Sequence, residues 1–229
     1  MPRHIFMGDI HGCYAEVCDL LAKVAVRDGD RVISLGDMVR KGPDAARVID
    51  LWLERGYEAV LGNIDAKLIA RARRPLWRLF SPTADRAVMN DRRRLDFLRA
   101  LPVYRDYPSL GVVAVHGGVL PNSKAFDATL VPRDTALELR YVRRDDSSGQ
   151  WTFVPKGEQR ASDPFWADLW KGDRLVVYGH TPRDEPKVHS RAIGLDTGCV
   201  YGGRLTAAVF EDRDRWTLVS VPARRRYAS

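Results

Sequence analysis

The apolar positions of this chain fall in short runs, and each run stops at a small cluster of glycine and polar residues. "HIFM" leads into "GDIHG", "DRVISL" into "GDMVRKGPD", "YEAVL" into "GNID", "GVVAV" into "HGG" and "RLVVY" into "GHTP". Runs this short, bounded by glycine, have the length and flanks of buried strands. Between them the apolar spacing lengthens to three and four. "CYAEVCDLLAKVAV" and "AARVIDLWLERG" read as helices, and a longer helical region spans roughly 66–101, interrupted near Pro75 and Pro82. Residues 121–170 are rich in Pro, Asp and Ser and read as irregular and loop-rich. "AIGLDTG", "LTAAVFE" and "WTLVSVP" read as closing strands. Strands alternating with helices predict an α/β fold with at least one central sheet. No repeat and no clear linker divides the chain, which predicts one domain over 1–229 with a flexible basic tail at 222–229.

The polar residues that end the apolar runs carry the chemistry. In an α/β sheet, ligands collect beyond the strand ends, and glycine lets the backbone turn close to them. Five strand ends can bring Asp9, His11, Asp37, Asn63, His116 and His180 to one crevice. Three of the chain's five histidines belong to this set. Carboxylate, carboxamide and imidazole together suit divalent metals such as Mn²⁺, Fe or Zn²⁺. Six such donors, one a carboxylate able to bridge, are enough for two ions about 3.5–4 Å apart. Such a pair polarises a phosphoryl group and acidifies a bridging water, whose hydroxide attacks phosphorus in line. A single "GD" or "GH" is ordinary turn sequence; five in this order are not.

Composition adds limits. The 229 residues are 45% hydrophobic, enough for a substantial core. No apolar run approaches the roughly 20 residues of a membrane span, and no signal peptide is visible. Three unpaired cysteines, Cys13, Cys18 and Cys199, suggest reduced thiols and a cytoplasmic protein. Cys13 and Cys18 read as helix-packing residues. A formal charge of +7 comes from arginine-rich stretches such as "RARRPLWRLF", "NDRRRLDFLR" and "ARRRYAS". This field attracts polyanions, although interspersed acids make each cluster read first as a solvated helix face.

Taken together, the motifs resemble the signature of the calcineurin-like metallophosphoesterases, in the phosphoprotein phosphatase superfamily, over about residues 5–210. "AIGLDTGCVYGGRLTA" and "KGPD" look most like the ApaH-like phosphatases, relatives of the bacterial diadenosine tetraphosphate hydrolases. The resemblance implies a central β-sandwich of mixed sheets flanked by helices, with a two-metal site at the C-terminal ends of the strands. It implies that Asp9 and His11 bind one ion, that Asp37 bridges both, and that Asn63, His116 and His180 bind the second. Mn²⁺ is the leading candidate, with Fe, Zn²⁺ or Co²⁺ as alternatives. In the ester-cleaving members the second motif reads Asp-Arg-Gly where this chain has Arg40, Lys41 and Gly42. Their third reads Gly-Asn-His where this chain has Gly62, Asn63 and Ile64. Lys41 thus takes the place of a phosphate-gripping arginine, as in the ApaH-like group. Ile64 and Arg40 replace the histidine general acid and its orienting aspartate. Arg140, between the "HGG" and "GH" blocks, and Arg204 are further candidates to grip phosphate.

The loss of that dyad narrows the chemistry. General-acid help is worth about 10²–10⁴ in rate, or roughly 3–5 kcal/mol of barrier. A serine or threonine alkoxide needs it most. A phosphoanhydride leaves as a phosphate and needs it little, and an aryl phosphate lies between. Arg40 and Lys41 can steady the negative charge of a polyphosphate. The expected activity is therefore two-metal hydrolysis of phosphoanhydrides or activated phosphomonoesters: nucleoside or dinucleoside polyphosphates, inorganic polyphosphate or aryl phosphates. The alternatives are a phosphatase of Ser, Thr or Tyr phosphoproteins and a catalytically impaired phosphate sensor. RNA 5′-end hydrolysis would suit the arginine excess, but no nucleic-acid-binding module accompanies it.

Overall fold

Two five-stranded mixed sheets form the centre of the computed structural model, which describes residues 2–229 apart from the side chains of Pro75 and Trp77. In the first sheet β1 (His4–Met7), β2 (Arg31–Ser34) and β3 (Glu58–Ala59) run parallel. The chain then crosses to the second sheet with β4 (Tyr104–Tyr107) antiparallel to β5 (Val112–Val115). A separate hairpin follows, β6 (Tyr141–Arg144) with β7 (Trp151–Val154). β8 (Leu175–Tyr178) lies parallel to β5, and β9 (Lys187–Val188) pairs antiparallel with β10 (Ala192–Gly194), itself parallel to β8. The chain finally returns to the first sheet as β11 (Arg204–Phe210), antiparallel to β1, and its hairpin partner β12 (Trp216–Pro222). The spatial orders are β12-β11-β1-β2-β3 and β4-β5-β8-β10-β9.

Strand alternation builds the layers. Phe6, Ile33 and Val60 point from the first sheet to Val112, Ala114, Val177 and Ile193 of the second, and these meet as the core of the sandwich. On the opposite face of β1, Ile5 and Met7 pack against helices. Each such aliphatic side chain, buried outright, contributes about 1.5–3 kcal/mol. The helices covering that face are α1 (Tyr14–Val24) and α2 (Ala45–Arg55), followed by α3 (Asn63–Ala72), α5 (Thr83–Met89) and α6 (Arg92–Ala100), with the short, exposed α4 (Pro75–Leu79) between α3 and α5. The second sheet's outer face is closed by α7 (Arg133–Glu138), α8 (Trp166–Leu169) and the β6–β7 hairpin through Trp166, Trp170 and Val142. No helix among the described residues is long and apolar enough to cross a membrane.

Two sequence expectations need correction. Residues 121–170 are not merely irregular. They contain the β6–β7 hairpin and two short helices, held by contacts such as Asn122 with the Trp151 backbone, at 2.7 and 2.8 Å. Such pairing across a turn leaves no periodic trace in a polar segment. The tail is not free either. The amides of Tyr227 and Ala228 donate to the Val200 carbonyl at 3.0 Å. The Tyr227 hydroxyl donates to Glu16 at 2.8 Å, and Arg224 forks onto Asp19. Glu16 and Asp19 lie 211 and 205 residues from their tail partners, so composition alone does not reveal these contacts.

Candidate metal centre

Three parallel strands of each sheet deliver their C-terminal ends to one cleft of about 220 Å³. Asp9 and His11 follow β1, Asp37 follows β2 and Asn63 follows β3. His116 follows β5, His180 follows β8 and Asp196 follows β10. All seven side chains are buried. His11, Asp37 and His180 hold left-handed backbones, at φ +48°, +49° and +67°. Ordinary residues adopt that conformation at a cost, and such strain gathers where side chains must be aimed. Close approach is bought at Gly62 and Gly179, where a Cβ would strike Asp37 and the Asp9 carboxylate respectively.

The imidazoles are set up as lone-pair donors. His116 Nδ1 donates to the Leu35 carbonyl at 2.8 Å, and His11 Nδ1 donates to that of Val39 at 3.2 Å. The Nε2 atom of each ring faces Asp37, at 3.5 Å from His116 and 3.6 Å from His11, and that of His11 also accepts from Lys41 Nζ at 3.2 Å. Nε2 of both His116 and His180 is buried without a hydrogen-bond partner. Burial lowers the histidines, His116 to about 4 and His11 to about 3, so all three rings are neutral at pH 7. The carboxylates move the other way. Burial, with the charges of Asp196 and Asp37, raises Asp9 well above the usual range. Burial raises Asp37 to about 7 and Asp196 to about 6. Neutral rings with orphaned lone pairs beside carboxylates reluctant to ionise are what a cation site presents when considered without its ion. Asp9, Asp37 and His116 place donor atoms within 4.8 Å of one another. The residues therefore fit a divalent metal.

The stretch "LGNID" resolves into three separate tasks. Asn63 lines the cleft. Asp65 turns inward and accepts from the amides of Met38 at 3.0 Å, Val39 at 3.2 Å and Gly62 at 3.1 Å. It thereby ties the loop after β2 to the first turn of α3. Ile64 packs against the helical core, lines the cleft, and donates its amide to Asp37 Oδ1 at 2.8 Å. The backbone of this position holds Asp37 whatever side chain it carries.

The cationic residues divide. Lys41, Lys67, Lys156 and Arg140 line the cleft. Lys41 Nζ donates to the Tyr201 hydroxyl at 2.7 Å, and Arg140 donates to the His180 carbonyl at 2.9 Å. Arg40 faces away, bonded to the buried Asp85 at 3.1 Å, and Arg204 is held by Glu185 at 2.6 Å; neither lines the cleft. The sequence reading did not single out Asp196, Lys67 or Lys156. Asp196 had a signal, since "AIGLDTG" is a further apolar run ending in a carboxylate. The lysines had none, because lysine on a helix or loop is ordinary surface.

Known proteins resemble this chain along nearly its whole length. A family model described as calcineurin-like phosphoesterase matches residues 2–219. An asymmetrical bis(5′-nucleosyl)-tetraphosphatase, PrpE, of Halalkalibacterium halodurans is 28% identical, covering 96% of this chain and 93% of its own. The protein of that name from Bacillus subtilis is 30% identical, covering 95% and 93%. A solved structure described as a candidate diadenosine tetraphosphatase superposes with a TM-score of 0.80 at 32% identity, covering 97% of this chain and 96% of that one.

Proposed function

The chain belongs to the calcineurin-like phosphoesterase family and is a metal-dependent phosphohydrolase, and from that premise we propose that it cleaves phosphoanhydrides, dinucleoside polyphosphates foremost. The observation that carries this reading is a cationic rim over a carboxylate–imidazole floor that has no imidazole to spare. Lys41, Lys67, Lys156 and Arg140 surround the cleft, matching several phosphates better than one. The two histidines outside the floor are engaged elsewhere. His4 lies in β1 against Tyr107, and His189 sits between Tyr178 and Asp168. Neither lines the cleft. A leaving group that departs without a proton suits such a site. The names of the PrpE relatives point to the same substrate class.

In this reading Asp9 and His11 would hold one divalent ion, Asn63, His116 and His180 a second, and Asp37 would be shared between them. Mn²⁺ is our first choice of metal. When bound, the ions supply Lewis-acid polarisation of the phosphoryl oxygens and acidify water. The chain's own residues do the rest. The Ile64 amide fixes the direction of Asp37. Arg140 braces the His180 loop while its charge faces the cleft, and Lys41, Lys67 and Lys156 offset the charge of the polyphosphate. Ile64 keeps the leaving-group side apolar.

A substrate panel with the manganese-loaded protein tests this. Diadenosine tetraphosphate and nucleoside triphosphate should turn over with kcat/KM well above that of a phosphoserine peptide. Chromatography of the products then reports the bond. A nucleoside monophosphate plus a triphosphate means cleavage of an outer phosphoanhydride; two diphosphates mean cleavage of the central one. Preference for the phosphopeptide would overturn the proposal.

A further inference from the structure

A second group of ligand-type side chains lies behind the cleft, in the helical core. Cys13, Glu16 and Cys199 are buried, and their two sulfurs and a carboxylate oxygen lie within 4.8 Å of one another. The cysteines are free thiols. Glu16 has no exposed surface. Its Oε1 accepts from the Arg224 amide and the Tyr227 hydroxyl, both at 2.8 Å, while Oε2 has no partner. A wholly buried carboxylate oxygen without a donor is costly unless something positive meets it.

The sequence positions explain how the group assembles. Cys13 precedes the first residue of α1 and Glu16 lies in its first turn, so the pair shares one face at the positive end of the helix dipole. Cys199 arrives from the short turn after β10. Two thiolates and a carboxylate form a different donor set from the oxygen and nitrogen of the cleft. Thiolates select zinc and other soft ions, whereas carboxylate and water suit manganese or magnesium.

We propose that Cys13, Glu16 and Cys199 bind a zinc ion at a structural site separate from the cleft. Its position gives it a task. Cys13 lies two residues beyond His11 and Cys199 three beyond Asp196, while Glu16 holds the tail through Tyr227 and Arg224. One ion would clamp two cleft-bearing loops and the C-terminus together.

Cobalt distinguishes this site from the cleft, because sulfur-to-cobalt charge-transfer absorption requires thiolate ligands. Metal-stripped, reduced protein titrated with Co²⁺ should develop that band by about three equivalents, since the cleft takes up to two ions of its own, and Zn²⁺ should remove it. Cys13→Ser and Cys199→Ser should each abolish the band, while Cys18→Ser and Asp37→Ala should keep it. Glu16→Gln should keep both thiolates yet weaken cobalt binding at least about tenfold. Cadmium NMR of the unaltered chain, whose shift separates sulfur from oxygen ligation, gives the same answer if a serine variant fails to fold. A cobalt protein without the band, a band that survives either serine variant, or a cadmium-saturated protein with no resonance in the sulfur-ligated range would overturn the site. So would mass spectrometry finding the two thiols joined as a disulfide in freshly purified protein.

Discussion

Neighbouring basic residues do different work here, and position 64 matters more for its amide than for its side chain. Arg40 pairs with a buried carboxylate, and Lys41 reaches the cleft. Arg40→Ala should therefore lower stability by about 1–3 kcal/mol, less than a fully buried pair because the guanidinium is partly exposed. It should leave KM for a triphosphate nearly unchanged. Lys41→Ala should do the reverse, raising KM about 10–100-fold, the worth of one charge-assisted hydrogen bond, with little change in kcat. Denaturant melts and steady-state kinetics on the two variants check this split, and a shared effect would refute it. Ile64 makes its own prediction. Across substituted aryl phosphates, kcat should fall steeply as leaving-group pKa rises, measured where chemistry limits the rate. A flat series would mean that another residue delivers the proton. Restoring a His-Asp dyad through Ile64→His and Arg40→Asp would also set a new carboxylate against Asp85, so the double variant should melt below the parent.

The elements show where sequence reading succeeds and where it stops. Each parallel strand announced itself as an apolar run cut off by glycine and a polar residue, because burial on both faces and a close turn require both. The helical region after β3 was legible with its breaks near Pro75 and Pro82, although a further break at Asn90 and Asp91 was not. Which sheet each strand joins was beyond the pattern. β1 pairs with β11 two hundred residues away, and only the folded chain decides that register. The docked tail and Asp65 escaped for the same reason, since the tail is held by carboxylates of α1 and Asp65 by amides of the loop after β2. Asp65 gives a test at this scale. Asp65→Ala strands the amides of Met38, Val39 and Gly62, so stability should drop by about 3 kcal/mol or more. The β2 loop and α3 should loosen together, weakening divalent binding about 10–100-fold although Asp65 lines no part of the cleft. Calorimetry and a chelator competition measure the two losses. Lost stability with intact metal affinity would show that the loop is held by other contacts.

At the scale of the whole molecule, much of the excess of basic residues proves local. Arg94 meets Asp50, Arg143 meets Asp163, Arg174 meets Asp106 and Arg224 meets Asp19, so these arginines serve the surface rather than a polyanion. The carboxylates of the cleft are buried, and they tie folding to pH and metal. In the metal-free fold, burial holds Asp37 and Asp65 near 7 and keeps Asp9 high, whereas unfolded carboxyls ionise near 4. Between those values the fold binds more protons than the unfolded chain, so these groups make stability fall as pH rises. The buried histidines oppose this below about 6.5, because the unfolded chain then binds protons that the fold refuses. Above about 6.5 the histidines are neutral in both states, and the carboxylates act alone. Metal-free protein should therefore lose melting temperature from about pH 6.5 to 8. With saturating Mn²⁺ the trend should flatten or reverse, because the ion binds the ionised carboxylates and its stabilisation grows as protons leave. Thermal melts in chelator and in manganese across that range measure both slopes. A metal-free melting temperature that holds level or climbs would mean that these carboxylates are already ionised in the empty fold, compensated by the lysines of the rim.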